Sequence, residues 1–401
     1  VTRTNRSRAE LKTAYDSATR NIDPPCAIVD LDAFDVNLRD LTRRAEGVPI
    51  RVASKSLRCR TLLARALDHP GVRGVLAYSL REALWLHEHS TSDDIVVAYP
   101  TVDRSALARL AADDAARAHI TLMVDSSEHL DFLDEVLRPG HPVIRVALEL
   151  DVSWRPLKGI HLGARRSPIH TPGAAAELAA TITSRNGYAL VGVMGYEGQI
   201  AGVGDKDAGL KSLALRRIQS ASALELAERR SAAVERVRAY ADLEFVNGGG
   251  TGSVETTRQD PSVTEIAAGS GLVGPALFDH YTRFAPQPAL LYALPVVRKP
   301  RDDIATLFAG GYLASGAADG SRLPVPWLPE GLHLGSMEGA GEVQTPVFGA
   351  SDLAIGDRVW MRHAKAGELA ERFNDYHLVH STSADLWRTV PTYRGEGVNW
   401  G

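Results

Sequence analysis

The feature that most constrains this chain is a long alternation of short β-branched runs with Ala/Leu/Arg-rich helical patterns. Ile50–Ser54 reads as a strand and Cys59–Leu67 as a helix. Gly74–Ser79 with Leu80–His89, Ile95–Tyr99 with Ser105–Ala112, and Ile120–Val124 with Glu128–Leu137 repeat the pattern. Val143–Leu150 precedes the helix Gly173–Ser184, and Tyr188–Tyr196 precedes the long helix Leu210–Tyr240. Leu243–Asn247 and Thr264–Ala268 complete the series. Strands that alternate with helices form a parallel sheet with crossovers. About eight units at this spacing fit a closed (β/α)8 barrel better than an open doubly wound sheet.

Such a barrel takes about 250 residues, and the chain has 401. The texture changes near Gln287, where Gly and Pro become frequent and helical patterns fade. Leu291–Arg298, Ile304–Phe308, Gly341–Val347 and Arg358–Arg362 read as strands, with Pro324, Pro326 and Pro329 punctuating a loop. The expected fold is therefore α/β: a (β/α)8 TIM barrel followed by a C-terminal β-rich domain. The expected division is a helical extension over 1–24, with a short helix Ala9–Thr19, a barrel over 25–286 and a β domain over 287–401. The run Cys26–Leu31 is expected to add a strand to that β domain.

Lys plus Arg number 45 against 49 Asp plus Glu, a net charge of −4. That balance gives no electrostatic reason to expect nucleic acid or an anionic membrane as partner. No apolar run approaches the roughly 18–20 residues that span a bilayer. Val1–Arg20 carries Arg3, Arg6 and Arg8 with no apolar stretch behind them, so no secretory signal is expected. Cys26 and Cys59 are too few for a disulfide framework or a cysteine zinc site, and fit a reducing cytoplasm. Small-molecule chemistry is the default that remains.

Active sites of these barrels lie at the C-terminal ends of the strands. Lys55 ends the first barrel strand. Desolvation in a barrel mouth would lower its pKa and free the amine for a Schiff base, although the segment alone reads better as a solvated loop lysine. Asn247-Gly248-Gly249-Gly250-Thr251-Gly252-Ser253 follows an apolar strand directly. It is neither a Walker loop nor a dinucleotide fingerprint. Its glycines let backbone N–H groups converge on one anion, and Thr251 and Ser253 add hydroxyls, so a monophosphate cradle is favoured over a flexible turn. Ala268-Gly269-Ser270-Gly271-Leu272 is a second candidate wall. Tyr196, Glu197 and Gln199 end another strand and can face a bound ring, and Arg165 or Arg166 can meet a phenolate or a carboxylate. His363, Lys365 and Glu368 follow the strand Arg358–Arg362, while His377 and His380 stay ambiguous.

A strand-end lysine early in a barrel, a glycine phosphate loop late in it and a β domain behind it resemble the fold-type III pyridoxal-phosphate enzymes. Within these alanine-racemase-like barrels, the chain looks most like the D-threonine aldolase and D-serine dehydratase branch, from about Pro24 to His380. The resemblance implies that Lys55 holds pyridoxal 5'-phosphate as a Schiff base. It implies that Gly249, Gly250 and Thr251 bind the phosphate, with further donors at Ser270 and Gly271. It places Tyr196 by the pyridine nitrogen and Gln199 near the ring, with Arg165 the available partner for the phenolic oxygen. Where the family often has Arg before Xaa-Gly-Val, this chain has His161 before Leu162-Gly163-Ala164.

The resemblance also implies a divalent metal on His-x-Cys or His-x-Asp, but here the stretch reads His363-Ala364-Lys365. An ammonium is not a metal ligand and opposes one. Either the metal is absent or Glu368 replaces the lost ligand; in the first case Lys365 takes over its charge at the substrate. The expected activity is a lyase acting on a β-hydroxy amino acid of D configuration, by aldol cleavage or dehydration, with Lys55, His363 and Lys365 as catalytic residues. The implied assembly is a homodimer in which the β domain of one subunit closes the barrel mouth of the other. Alternatives are an amino-acid racemase with Tyr312 as a second base, a non-enzymatic cofactor carrier, and a phosphosugar enzyme using Gly248–Gly250 with a Schiff base on Lys55.

Overall fold

The computed structural model describes residues 6–206 and 210–400. Val1–Asn5, the start of the expected extension and the site of Arg3, lie outside the described residues. Helix α1 (Arg8–Ala18) begins at a capping box, in which Ser7 and Glu10 satisfy each other's backbone N–H groups. The Tyr15 hydroxyl donates to Asp30 at 2.8 Å and the Trp360 indole N–H donates to Asp16 at 2.9 Å, fixing α1 to the C-terminal sheet.

Strand β1 (Cys26–Asp30) leads into α2 (Leu31–Ala45), whose first N–H groups are accepted by the Asp30 carboxylate. Eight parallel strands then close a barrel: β2 (Ile50–Ala53), β3 (Val72–Ala77), β4 (Ile95–Val97), β5 (Ile120–Val124), β6 (Ile144–Glu149), β7 (Tyr188–Gly195), β8 (Phe245–Gly248) and β9 (Glu265–Ala268). Strands buried on both faces read as continuous apolar runs, which is why the alternation was visible in the sequence. Val96, Met123, Ala147, Val191, Met194 and Phe245 fill the interior. Gly192 makes room for Phe245, whose ring lies 2.3 Å from where a Cβ would stand.

The floor of the barrel is charged and saturated. Arg51, 1% exposed, donates to Glu265 through Nε and Nη2 and to Asp94 through Nη1 and Nη2, at 2.6–3.1 Å. Asn247 adds a 2.8 Å bond to Glu265. On the flank, Arg230 of the long helix Leu210–Arg238 is buried between Glu197 and Asp260.

The second unit is a nine-stranded sheet containing β1 and eight later strands. Strand β1 pairs antiparallel with β10 (Leu290–Arg301) and parallel with β16 (Asp375–His380). On one side β10 continues into β11 (Ile304–Phe308), β14 (Gln344–Phe348) and β13 (His333–Leu334); on the other, β16 pairs with β17 (Asp385–Pro391). The proline segment expected as a loop contains strand β12 (Val325–Leu328), which pairs with β15 (Arg358–Arg362). Its prolines are tolerated because β12 has one partner strand and needs no second row of donors.

Candidate active site at the barrel mouth

A cavity of about 430 Å³ lies at the C-terminal end of the barrel, between the strand-end loops and the β-rich sheet. Lys55 enters it from a single 3-10 turn, Ser54–Ser56, directly after β2. Its Nζ hydrogen-bonds the Tyr99 hydroxyl at 3.1 Å. The side chain is exposed in this open mouth, so the protein walls alone do not supply the desolvation expected from its strand-end position.

Two strands round the barrel from β2, the glycine loop after β8 forms a further wall of the cavity. Gly249 has φ +80°, and a Cβ on Gly250 would come within 2.9 Å of Ala201. Both positions therefore require glycine, and the bare backbone faces the cavity. The Thr251 hydroxyl oxygen accepts from Ser270 Oγ and from the Gly271 N–H, each at 3.2 Å, tying the loop to the turn after β9. Gly249, Gly250, Thr251 and Ser270 line the cavity; Gly271 is buried behind Thr251.

Tyr196, immediately after β7, also faces the cavity, whereas its neighbours turn away. Glu197 pairs with Arg230 at 2.7 Å and accepts from Thr257 at 2.6 Å. Gln199 is buried, with its amide donating to the Val152 carbonyl at 2.8 Å and to Ser222 at 3.1 Å, so it holds the loop after β6 instead of a ring in the cavity. Arg165 lies in an outer cleft with Lys158 and His161, and the adjacent Arg166 is the one that enters the mouth. Its guanidinium carbon is 5.4 Å from the Tyr99 ring centroid and 5.1 Å from that of Tyr196. The difference is one residue, and only the direction of the side chain decides it.

The β-rich sheet contributes Ser315, Arg322, Lys365 and Glu368. Lys365 Nζ donates to the Ser315 carbonyl and hydroxyl at 3.1 and 3.2 Å, and Glu368 accepts from the Ser315 N–H at 2.7 Å. Partial burial, with the Arg322 and Lys55 charges, pushes the Lys365 pKa down, against the pull of Glu368. His363 behaves differently. Its ring is in the core, and burial, with the Arg362 charge, pushes its pKa down to about 3. The expected metal pair is thus a buried neutral imidazole and an ammonium that faces the cavity, a donor set that does not fit a divalent ion. Glu368 bonds Ser315 and does not join His363. Among the described residues no cluster of three His, Cys, Asp or Glu side chains has metal-site geometry. Tyr312 packs against Tyr292 and Phe373, with ring centroids 5.1 and 5.9 Å away. Sequence reading missed Tyr99, Arg322 and Ser315. Tyr99 carried a signal, a polar aromatic at a strand end; the other two lie in a loop without pattern.

An amine at the end of the first barrel strand and a glycine-lined wall at the ends of the last two define a lysine-bearing (β/α)8 barrel with a cavity at its mouth. The family model for the alanine racemase N-terminal domain matches residues 29–275. The chain belongs to that family, the fold-type III barrels, for which pyridoxal phosphate is the implied cofactor. A D-threonine aldolase of Arthrobacter sp. is 25% identical over 298 residues, 72% of each chain. A 3-hydroxy-D-aspartate aldolase of Paracoccus denitrificans is 25% identical over 256 residues, 62% of this chain and 60% of that one. In fold, the D-threonine aldolase of Filomicrobium marinum aligns with a TM-score of 0.78 at 20% identity, over 94% of this chain and 96% of that one. The D-threo-3-hydroxyaspartate dehydratase of Delftia sp. HT23 aligns at 0.72 and 20% identity, over 94% and 98%.

Proposed function

We propose that this protein is a pyridoxal-phosphate lyase that cleaves or dehydrates a β-hydroxy D-amino acid. The observation that carries the reading is the convergence of Lys55, the Gly249–Thr251 wall and Lys365 on one cavity. The residues present fit the cofactor. Lys55 would hold its carbonyl carbon, the bare glycine backbone with Ser270 would cradle its phosphate, and Arg166, between Tyr99 and Tyr196, would meet its phenolic oxygen. When bound, pyridoxal phosphate supplies an electron sink for charge developing at the substrate Cα. The Lys55 amine would hold and move the proton at the substrate Cα, with the Tyr99 hydroxyl orienting it. Lys365 takes the place of a metal at the substrate hydroxyl. Its depressed pKa suits a group that takes and returns a proton better than an ordinary solvated ammonium does.

The lyases among the relatives, together with Lys365, favour this reading over racemisation. A homodimer fits the open mouth, and two free, buried cysteines fit a reducing cytoplasm; among the described residues no helix is long and apolar enough to cross a membrane. The test starts with colour. Protein loaded with pyridoxal phosphate is expected to be yellow and, after borohydride, to carry the label on Lys55. A screen of D-β-hydroxy amino acids, with and without chelator, should then release an aldehyde and glycine or an oxo acid and ammonia. Lys55→Ala should lower turnover by at least about 10³-fold. A colourless protein that binds no pyridoxal phosphate sinks the reading.

A further inference from the structure

The sheet-side wall of the cavity contains a cation whose guanidinium makes no ion pair among the described residues. Arg322 has its Nε and Nη1 buried without an acceptor, and no ion pair among the described residues includes it. Its position is fixed. The Arg322 N–H donates to the Asp319 carbonyl at 3.0 Å, and its own carbonyl accepts from the Ala314 N–H at 2.9 Å. The guanidinium packs on Gly316, where a Cβ would come within 2.8 Å of Nε. Of the carboxylates nearby, Glu368 is directed to the Ser315 N–H, and Asp319, whose pKa is lowered by its Ser321 hydrogen bonds and by the Arg322 charge, accepts from Ser321 and not from the guanidinium. Buried donors in native proteins are almost always matched, and a guanidinium left unmatched beside a cavity marks where a ligand's oxygens belong.

We propose that Arg322 is the receptor for a carboxylate of the amino-acid substrate and thereby a specificity-determining residue of this site. The assignment rests on the lyase reading above. Arg322 stands beside Lys365, and both come from the sheet side, whereas the glycine cradle lies at the ends of β8 and β9. A substrate held beside Lys55 would thus have its hydroxyl and its carboxylate met from the same wall. The shared chemistry is an oxyanion, and the cofactor phosphate is its competing source. Tyr281 lies within reach of the Arg322 charge and packs against Gly252 of the glycine loop.

The experiment uses holoprotein and two ligand series, D-β-hydroxy amino acids and the amino alcohols in which hydroxymethyl replaces the carboxylate. Spectral titration of the bound cofactor reports ligand binding without turnover, and titration of apoprotein with pyridoxal phosphate reports cofactor affinity. Wild type should bind the amino acids more tightly than the alcohols. Arg322→Gln should weaken the amino acids by about 10- to 100-fold, the worth of a charge-assisted hydrogen bond. It should leave the alcohols and the cofactor within about 3-fold, and Arg322→Lys, with a point charge in place of the planar fork, should recover part of the loss. Melting temperatures of both variants check the fold. Lost cofactor affinity with intact discrimination against the alcohols assigns Arg322 to the phosphate and overturns the proposal. A wild-type response that both variants leave unchanged overturns it alone. A wild type that binds cofactor but responds to no amino acid overturns the lyase reading and this assignment together.

Discussion

Arg51, on the floor of the barrel, and Arg322, which reaches its mouth from the β-rich sheet, show what each end is for. On the floor, Arg51 is matched by the Glu265 and Asp94 carboxylates. At the mouth, Arg322 has buried donors with no acceptor, and Lys55, Arg166 and Lys365 face the same space. A saturated buried charge contributes to the fold and has nothing left to offer a ligand. Unsatisfied charge is tolerable only where an anion arrives from outside. The cofactor's phosphate, its phenolic oxygen and the substrate carboxylate are anions of that kind.

Breaking the saturated end should produce the largest effect. Arg51→Met leaves Glu265 and Asp94 buried or half-buried without their cation, and should lower unfolding free energy by about 3–5 kcal/mol, measured by urea denaturation of apoprotein. The double variant Arg51→Met/Glu265→Gln should recover part of the loss, because it removes an orphaned charge. A single-variant cost under about 1 kcal/mol would mean that the floor network is solvated, and the contrast with the mouth would collapse.

The same contrast explains how much was legible in the sequence. The barrel strands were readable because both faces are buried and their residues run apolar. Strand β17 was not, since most of Asp385–Pro391 is exposed and lacks a core face, and β12 was hidden by its prolines. In the site, Lys55 and the Gly249–Thr251 run were readable as local patterns after strands. Arg322, Tyr99 and Ser315 reach the cavity by long-range convergence, for which no local spacing exists. Arg165 and Gln199 show a finer limit. Each was in the right loop, and side-chain direction alone placed Arg166 and Tyr196 in the cavity instead. His363 was named beside Lys365, yet the chain turns its ring into the core.

A group between the two regimes sharpens the comparison. Glu82, behind the Lys55 turn, accepts from the Tyr78 N–H at 2.7 Å and from the Tyr393 hydroxyl at 2.9 Å, yet burial pushes its pKa up to about 7. The unfolded carboxyl releases its proton near 4.5 and the folded one near 7, so between those values the folded state holds more protons. This group's stability contribution is therefore present at low pH and lost as pH rises through that window, by about 3 kcal/mol. Glu149, also raised to about 7 by burial, keeps its own slope. Glu82→Gln should consequently remove about half of the summed decline in melts taken from pH 5 to pH 8. An unchanged slope would show that Glu82 is ionised and matched, as Arg51 is.

The smallest effect concerns the residue that joins fold and chemistry. Lys365 bonds the Ser315 loop and faces the cavity, so it has a partner without being saturated. Lys365→Met preserves length and removes the ammonium. Turnover should fall by about 10- to 100-fold, the range of a positioned acid–base or charge-assisted contact, while cofactor affinity stays within a few-fold. Lys365→Arg separates the two components of that loss. Arginine retains the charge but cannot give up its proton near neutral pH. Recovery by arginine would mean that Lys365 acts as a fixed charge in place of a metal. No recovery, together with a turnover that rises with pH in wild type and not in the variant, would mean that it moves the hydroxyl proton. A Lys365→Met enzyme as active as wild type would leave the lysine a loop fastener, and its place at the mouth a matter of folding alone.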